Sequence, residues 1–325
     1  MAQQIFAYIL HKDGVADDSA QELVVAAGKL DPEATVTAVV GGAGEQLSQV
    51  CEQAAAIYPE VWKIDNAALA HINAEVIRPM LARIIPAGAI TLVPHEHFGM
   101  DLAPGLSIKL NAAYLPDVVA FEGLEGGGRL KAVREEFSGQ VSTHVSCDLS
   151  GGAVITVRPG AFQAQEGQAA GGKVVDKSSE AGAAEPRRRY LETVVAEVGD
   201  VDITKSEILV SVGRGIEDQD NLEIIQELAK AVGGDVSCSR PIVDAKWLEK
   251  GRQVGTSGQT VKPKVYMALG ISGSFQHMGG IKGAPFMVAV NKNPKAPIFQ
   301  AADVGVVADI LEFIPELTEK LKESK

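Results

Sequence analysis

The residues best placed to do chemistry together lie in one stretch, VYMALGISGSFQHMGGIKGAPFMVAVN, Val265 to Asn291. Six mostly apolar residues, Val265 to Gly270, predict a buried strand. Ser272-Gly273-Ser274 interrupt it, and such small residues let the backbone approach a ligand closely. Gln276 and His277 fall in the first turns of a predicted helix. A second apolar run, Phe286 to Val290, ends on Asn291. Strand, Gly/Ser turn, helix start and strand is a pattern that aims free N–H groups and hydroxyls at a phosphate. Similar groups stand at three further predicted strand ends: Gly213-Arg214-Gly215, Ser239-Arg240 and Thr256-Ser257. In an open parallel sheet, ligands bind outside the carboxyl ends of the strands. Two arginines, several hydroxyls and Gly-rich backbone suit a pyrophosphate. Taken singly, Arg214 or Arg240 reads as a surface ion-pair partner and His277 as a core histidine. Together they point to a dinucleotide site.

The elements that must hold these groups follow from hydrophobic periodicity. Strands are predicted at Ile5 to Leu10, Thr35 to Val40, Val61 to Ile64, Ala89 to Val93 and Asp117 to Phe121. Helices at Ser19 to Lys29, after Gly44 to Ala56, at Asn73 to Ile85 and at Asp101 to Leu110 alternate with them. That alternation means βαβ units and a parallel sheet with helices on both faces. Gly126-Gly127-Gly128 reads as a tight turn before two extended runs, Arg129 to Phe137 and Gln140 to Cys147, with a further strand at Val154 to Val157. Gln163 to Pro186, rich in Ala, Gly, Gln and Glu, reads as a long surface excursion, and Tyr190 to Val198 as extended. A second unit begins near residue 204, so the expected domains are residues 1–203 and 204–325. It opens with a strand at Glu207 to Val212. A helix follows with Asp220 as N-cap, an apolar face of Leu222, Ile225, Leu228, Ala229 and Val232, and an end at Gly233-Gly234. Asp235 to Cys238 is a short strand, Lys246 to Lys250 a short helix, and Val254 to Gln259 a loop of small polar residues. Asp303 to Ala308 and an amphipathic helix, Leu311 to Lys322, close the chain.

Two other groups invite a chemical reading. Gly41-Gly42-Ala43-Gly44 follows a strand and opens a helix, as a dinucleotide loop does. The GxGxxG spacing is absent, however, and no acidic residue closes the next strand in the expected way, so an ordinary strand-to-helix turn is the reading adopted. His95-Glu96-His97 places two imidazoles on one side of an extended segment, but no third metal ligand is evident. It reads as a solvent-facing loop, and no metal is expected. Arg187-Arg188-Arg189 is read as a solvated edge or a protein contact.

Composition narrows the class. The 325 residues allow two domains. A net charge of -12 argues against nucleic acid as the main partner. Cys51, Cys147 and Cys238 stand far apart with no CxxC, which leaves no disulfide framework and no self-contained cluster or zinc site. A reduced cytoplasmic setting is expected. The N-terminus reads as a first strand, with no signal peptide, and no apolar run reaches the length of a membrane span.

With these residues assembled, the chain resembles the alpha subunit of electron-transfer flavoproteins. The family's signature has the form YxAxGISGxxQHxxGxxxxxxIVAIN. Here it is met by Tyr266, Ala268, Gly270-Ile271-Ser272-Gly273, Gln276-His277, Gly280 and Val288-Ala289-Val290-Asn291. VSVGRGI, SRPIVDAKWL, RQVG and APIFQAADVGVVAD are also family-like, and DNAALAH, DLAPGLSIKL and RPGAF extend the likeness towards the N-terminus. The resemblance implies two α/β domains, each a mainly parallel sheet with flanking helices. The first resembles an adenine-nucleotide-binding fold without its nucleotide. The second is of the FAD/NAD-binding type, related in shape to deoxyhypusine synthase. FAD is the implied cofactor. Its implied contacts are Arg214, Ser239, Arg240, the loop residues Val254, Gly255, Thr256 and Ser257, the turn Ser272, Gly273, Ser274, Phe275, Gln276 and His277, and Asn291 and Asp309. Ser239 and Ser272 would face the pyrophosphate, Asn291 and Asp309 the adenosine end.

The resemblance also implies redox tuning by Arg240, Ser257 and His277 in place of acid–base catalysis, because the flavin carries the chemistry. His277 would donate towards the N1–C2=O edge, where negative charge develops on reduction, and Ser257 towards N5. A charge-assisted hydrogen bond worth about 1.5–3 kcal/mol in one redox state moves a one-electron potential by roughly 65–130 mV. The implied partners are a beta subunit, forming a heterodimer, and two transient redox partners. These are an acyl-CoA-type dehydrogenase of fatty acid beta-oxidation and a membrane quinone-linked oxidoreductase. The alternatives are an NADH-dependent flavin-bifurcating complex and, outside the family, an NAD-dependent enzyme on the same fold. Thr256-Ser257-Gly258-Gln259 departs from the QTGK of many relatives, keeping the hydroxyl and losing the Gln and Lys. Gln140 stands where relatives often carry Asn.

Overall fold

The computed structural model describes residues 3–125, 128–137, 141–162, 171–184, 186–192, 201–283 and 285–323. The chain divides into two compact units, Met1–Leu191 and Glu192–Lys325.

The first unit runs β1 (Gln4–Tyr8), β2 (His11–Lys12), β3 (Val15–Ala16), α1 (Ser19–Leu30), β4 (Thr35–Gly42), α2 (Gly44–Ala55), β5 (Glu60–Asp65), α3 (Ala74–Ile84), β6 (Ile90–Pro94) and α4 (His97–Leu110). It continues with β7 (Ala113–Glu125), β8 (Arg129–Glu136), β9 (Val141–Asp148), β10 (Ala153–Val157), β11 (Lys173–Asp176) and α5 (Ser178–Ala181). A nine-stranded sheet has the order β11-β5-β4-β1-β6-β10-β7-β8-β9. It is parallel from β11 to β7 and antiparallel across β7, β8 and β9. The central strands β6 and β10 are buried along their whole length, as a parallel sheet covered on both faces requires. Leu23, Ala26 and Ala27 of α1 pack in the cluster on one face, and Val76, Ile77, Met80 and Leu81 of α3 in that on the other. Asn73 caps α3 by accepting from the Glu75 N–H at 2.9 Å.

The second unit runs β12 (Ile208–Val212), α6 (Leu222–Val232), β13 (Asp235–Cys238), α7 (Arg240–Asp244), β14 (Val265–Leu269), α8 (Phe275–Met278), β15 (Phe286–Asn291), β16 (Val304–Val307) and α9 (Ile310–Glu323). Its five strands form a parallel sheet of order β13-β12-β14-β15-β16. Helices α6 and α9 cover one face through Leu222, Ile225, Leu228, Ala229, Ile310 and Ile314. Tyr266, Ala268, Met287 and Ala289 pack with Val254, Val261, Ile271 and Ile298 on the other. The two-domain α/β reading therefore holds.

Several local expectations do not. Residues 171–184, read as part of a surface excursion, carry β11 and α5. Strand β11 pairs with β5 from Lys173–Glu60 to Asp176–Lys63 and forms the sheet's edge. Its side chains are largely exposed, so the apolar pattern that reveals an inner strand is missing. Residues 163–170 of that expected excursion, 126–127 of the expected glycine turn, 193–198 of the expected extended run and the departure at Gln140 lie outside the described residues. Tyr190 to Glu192 form no strand. Asp220 does not cap α6: Asn221 precedes the helix, and the Asp220 N–H is held by the Asp218 carboxylate at 3.1 Å. The short helix is not at Lys246 to Lys250 but at Arg240–Asp244, started by Pro241 in its first turn.

Candidate functional site

The level registers of the second sheet decide where its functional groups meet. Val212 lies opposite both Cys238 and Leu269, Leu269 opposite Val290, and Asn291 opposite Val307. The chain therefore leaves the strands in one row, at Gly213, Ser239, Gly270 and the residues after Asn291. From β12 the chain passes through α6 to β13 on one side, while β14 lies on its other side. Connections departing in opposite directions open a crevice at the carboxyl edge. At this point two backbones touch. The Gly213 N–H donates to the Leu269 carbonyl at 2.9 Å, and the Gly215 N–H to that of Gly270 at 3.1 Å. A Cβ on Gly215 would sit 2.7 Å from the Gly270 Cα, and Gly270 itself has φ +64°. Only glycine meets both demands.

A cleft of about 640 Å³ opens above this junction, within the range of pockets that take cofactor-sized ligands. Arg214, Ser239, Arg240, Val254, Gly255, Thr256, Ser257, Ser272, Ser274, Gln276, His277 and Asn291 all line it. Three expected residues do not. Gly273 turns its backbone (φ +83°) against Ile298, where a Cβ would be 2.4 Å from the Ile298 nitrogen. Phe275 is 57% exposed. Asp309 caps α9, accepting from the Leu311 N–H at 2.9 Å, and binds the Lys292 ammonium at 2.8 Å. Lys292, which does line the cleft, also meets Glu217 at 2.7 Å. These two carboxylates hold its pKa above the ordinary lysine range.

Thr256 and Ser257 reach the cleft from a loop and not from a strand end. The loop is tied down by bridges from Cys238 to Gln253 and from Val254 to Gln259. The Thr256 N–H donates to the Gln276 carbonyl at 2.8 Å, clamping the loop on α8. Gln253, which sequence reasoning missed, is 4% exposed and donates its amide to Ser257 Oγ at 2.9 Å. With a lone pair so engaged, the Ser257 hydrogen is free to point elsewhere. A single glutamine beside a small-residue loop carries no pattern that would have marked it. Asn291 is already engaged at both ends, donating to the Ile271 carbonyl and accepting from the Asn293 N–H, each at 2.9 Å. It shapes the floor between β14 and β15.

His277 is a buried polar group of the site. It is 5% exposed, and its Nε2 lies 2.8 Å from the Tyr266 hydroxyl. Its Nδ1 is buried with no partner among the described residues. Burial depresses its pKa to about 4, against a smaller upward pull from the Val254 backbone, so the ring is neutral at neutral pH. A buried polar atom without a partner is costly, and this one belongs to a residue that lines the cleft. Arg214 is exposed and has no carboxylate partner among the described residues, whereas Arg240 Nε stands 3.4 Å from Asp244. Free guanidinium, seryl hydroxyls and an orphaned ring nitrogen form a donor set that fits a pyrophosphate joined to a polar-edged ring.

The other groups flagged from sequence do not form such sites. His95 is no solvent-facing loop residue. It packs half-buried against β10, with Nδ1 2.8 Å from Thr156 Oγ1 and Nε2 3.8 Å from Asp117. His97 is the first residue of α4, so the two imidazoles do not share an extended face. Among the described residues no His/Cys/Asp/Glu group could hold a metal ion. At Gly41 to Gly44 an acidic residue does close the next strand, contrary to expectation. Asp65 ends β5, and its carboxylate accepts from the Gly44 N–H at 3.2 Å, occupying the helix start as an anion would. Arg188 in the basic run meets Asp101 at 3.1 Å.

Comparison with known proteins agrees with this geometry. Residues 5–182 match the electron transfer flavoprotein domain, and residues 202–282 match the electron transfer flavoprotein FAD-binding domain. The chain is 34% identical to the electron transfer flavoprotein subunit alpha of Thermoanaerobacterium thermosaccharolyticum over 268 residues, covering 82% of this chain and 81% of that protein. It is 34% identical to Protein FixB of Clostridium saccharobutylicum over 266 residues, 81% of this chain and 80% of that one. It is 40% identical to the subunit alpha of Methylophilus methylotrophus over 237 residues, 72% of each chain.

Proposed function

The chain belongs to the electron-transfer flavoprotein family as an alpha subunit, and we propose that it carries electrons from acyl-CoA-type flavin dehydrogenases to a membrane quinone-linked oxidoreductase. In this reading it is the FAD-binding half of a heterodimer with a beta subunit, residues 1–203 forming the N-terminal domain and 204–325 the FAD domain. The observation that carries the cofactor placement is the cleft at the carboxyl edge of the second sheet, with its neutral, half-partnered histidine. FAD, when bound, supplies acceptance and release of electrons. The chain's own residues bind and bias it. Arg214, Ser239, Arg240, Ser272 and Ser274 would hold the pyrophosphate. The loop from Val254 to Ser257 and His277 would border the ring, and Asn291 would lie towards the adenosine end. Asp309 takes part only through Lys292.

The tuning groups differ in kind. His277 is neutral, so it acts as a hydrogen-bond donor or acceptor and contributes no fixed charge. Ser257 has its hydroxyl oriented by Gln253. Arg240 contributes positive potential reduced by Asp244. No helix among the described residues is long and apolar enough to cross a membrane. A cytoplasmic, reducing setting belongs to the same proposal, supported by three free cysteines.

The deciding experiment is co-expression with the beta partner, followed by stepwise reduction under a visible spectrum. One bound flavin, reduced by an acyl-CoA dehydrogenase with its substrate and inert to NADH, is the expected result. Reduction by NADH with a second flavin present would replace this proposal with the bifurcating type. A colourless heterodimer would overturn the FAD site.

A further inference from the structure

A second cleft, of about 770 Å³, lies on the second unit beside its edge strand β13. Its floor is apolar: Val236 of β13, with Val243, Trp247 and Leu248 packed against the core under α6 and α9. Its rim is basic. Lys246, Lys250 and Arg252 line it against a single acid, Glu249. This is a local inversion of charge. Residues 240–264 carry six Lys/Arg and two Asp/Glu, in a chain with 30 against 42.

The fold leaves much of this charge unused. Lys246 and Lys250 are exposed with no carboxylate partner among the described residues. Lys264, Lys292 and Lys322 of the same unit instead meet Glu207, Glu217 and Glu227. Lys246 also has φ +61°, in the left-handed position after α7 where glycine is usual. A lysine there keeps strain that glycine would relieve, and no ion pair among the described residues offsets it. Arg252 is fixed differently. Its guanidinium donates to the Val236 carbonyl at 2.8 Å, and Gln253 bridges to Cys238. The edge of β13 is thereby covered, so contact here must be made through side chains and not by an added strand.

Position gives the patch a use. Arg252 lines this cleft, and Gln253, the next residue, lines the first. One short segment separates the two and leads into the loop that would border the ring. A protein seated on Trp247 sits beside that loop. Interfaces of permanent subunits are mainly apolar, whereas charge steers encounter and sets partner choice. At physiological salt the Debye length is about 8 Å, so a small docking face feels this patch and not the remote negative charge of the chain.

We propose that this cleft docks the protein that delivers electrons to the unit, through an acidic face of that donor with an apolar side chain seated against Trp247. The donor's identity rests on the reading above; the preference for an acidic partner does not.

Two measurements test this. In the full chain carrying Trp62→Phe, Trp247 fluorescence is titrated with a synthetic peptide of Asp and Glu around a central Leu. A saturable change is expected, lost at about 0.5 M salt and in the double variant Lys246→Glu with Lys250→Glu. No saturable change, or one that survives in the double variant, overturns the proposal. In the heterodimer loaded with FAD, reduction by an acyl-CoA dehydrogenase with its substrate is followed by stopped flow. The double variant is expected to lower the second-order rate constant about tenfold or more at low salt, with FAD content and midpoint potential unchanged. Lys12→Glu with Lys29→Glu changes net charge equally at exposed positions of the first unit, and is expected to leave the rate within about twofold. Equal losses in the two double variants overturn the proposal, because overall charge would then be the cause. So does a Lys246→Glu, Lys250→Glu chain that no longer forms the heterodimer, which would assign the cleft to the beta subunit. An unaltered heterodimer that takes no flavin, or that the dehydrogenase does not reduce, fails the reading above, while the peptide titration still decides the acidic site.

Discussion

His277 gives the second unit a measurable sensitivity to acid. Its pKa falls from an ordinary value near 6.5 to about 4 on folding, through burial. A group whose folded pKa is depressed binds fewer protons folded than unfolded between the two values, so stability is full above about pH 6.5 and is lost as pH falls towards 4. Each unit of pKa shift is worth about 1.4 kcal/mol, so going from pH 7.5 to pH 4.5 removes about 2.5 kcal/mol through this one ring. The ring is 5% exposed, so little solvent screening reduces the figure. The measurement is urea unfolding of the full chain at both pH values, in a Trp62→Phe background that leaves Trp247 as the fluorescent reporter of the second unit. Carboxylates also titrate in this range, so the comparison is with His277→Gln, which shares them. The pH-dependent loss is expected to be smaller in the variant by about 2.5 kcal/mol. Equal losses in both proteins would refute the reasoning, because they would mean that the ring meets water or an anion in solution.

Other expectations follow from the same contacts. Gly270→Ala places a Cβ at φ +64° against the Gly215 backbone. It should cost at least about 1–2 kcal/mol in urea unfolding and reduce FAD retention on gel filtration. Ser257→Ala removes a hydroxyl that Gln253 orients, and should lower the flavin midpoint potential with little change in FAD content; an unchanged potential would exclude Ser257 from the ring's surroundings. In the first unit Arg158 meets Asp117 at 2.7 Å and also Glu135. Arg158→Met should destabilise that unit by about 1–3 kcal/mol, because two part-buried carboxylates lose their shared partner, read by Trp62 fluorescence in a Trp247→Phe chain.

How much of this was legible in the sequence differs from element to element. Strands such as Asp235 to Cys238 and helices such as α6 and α9 could be read directly, because burial of one face imposes a periodicity that the residue types record. The exposed edge strand β11 could not, since solvent-facing side chains leave no such record. The caps were legible only in part: Gly233 declared the end of α6, but the turn before it engaged Asp218 and Asn221 in place of Asp220. Of the site, the Gly and Ser turns and His277 were visible as types suited to phosphate and to hydrogen bonding. Their convergence was not local information.

The sequence by itself determined which groups are available: two arginines, a set of seryl hydroxyls, glycines able to take positive φ, and one imidazole beside them. It also determined that each lies near a predicted strand end or in a small-residue loop. Tertiary structure decided the rest. The parallel registers of β12, β13, β14 and β15 brought separate loops to one edge. Gln253 came to orient Ser257, Lys292 took up Asp309, and Tyr266 came to hold His277 by its Nε2. Two of these pairings join residues on different elements, and Gln253 meets Ser257, four residues on, because their loop folds back on itself. A hydrogen bond depends on ångström-scale separation and direction, which residue types and spacing do not encode and packing alone supplies.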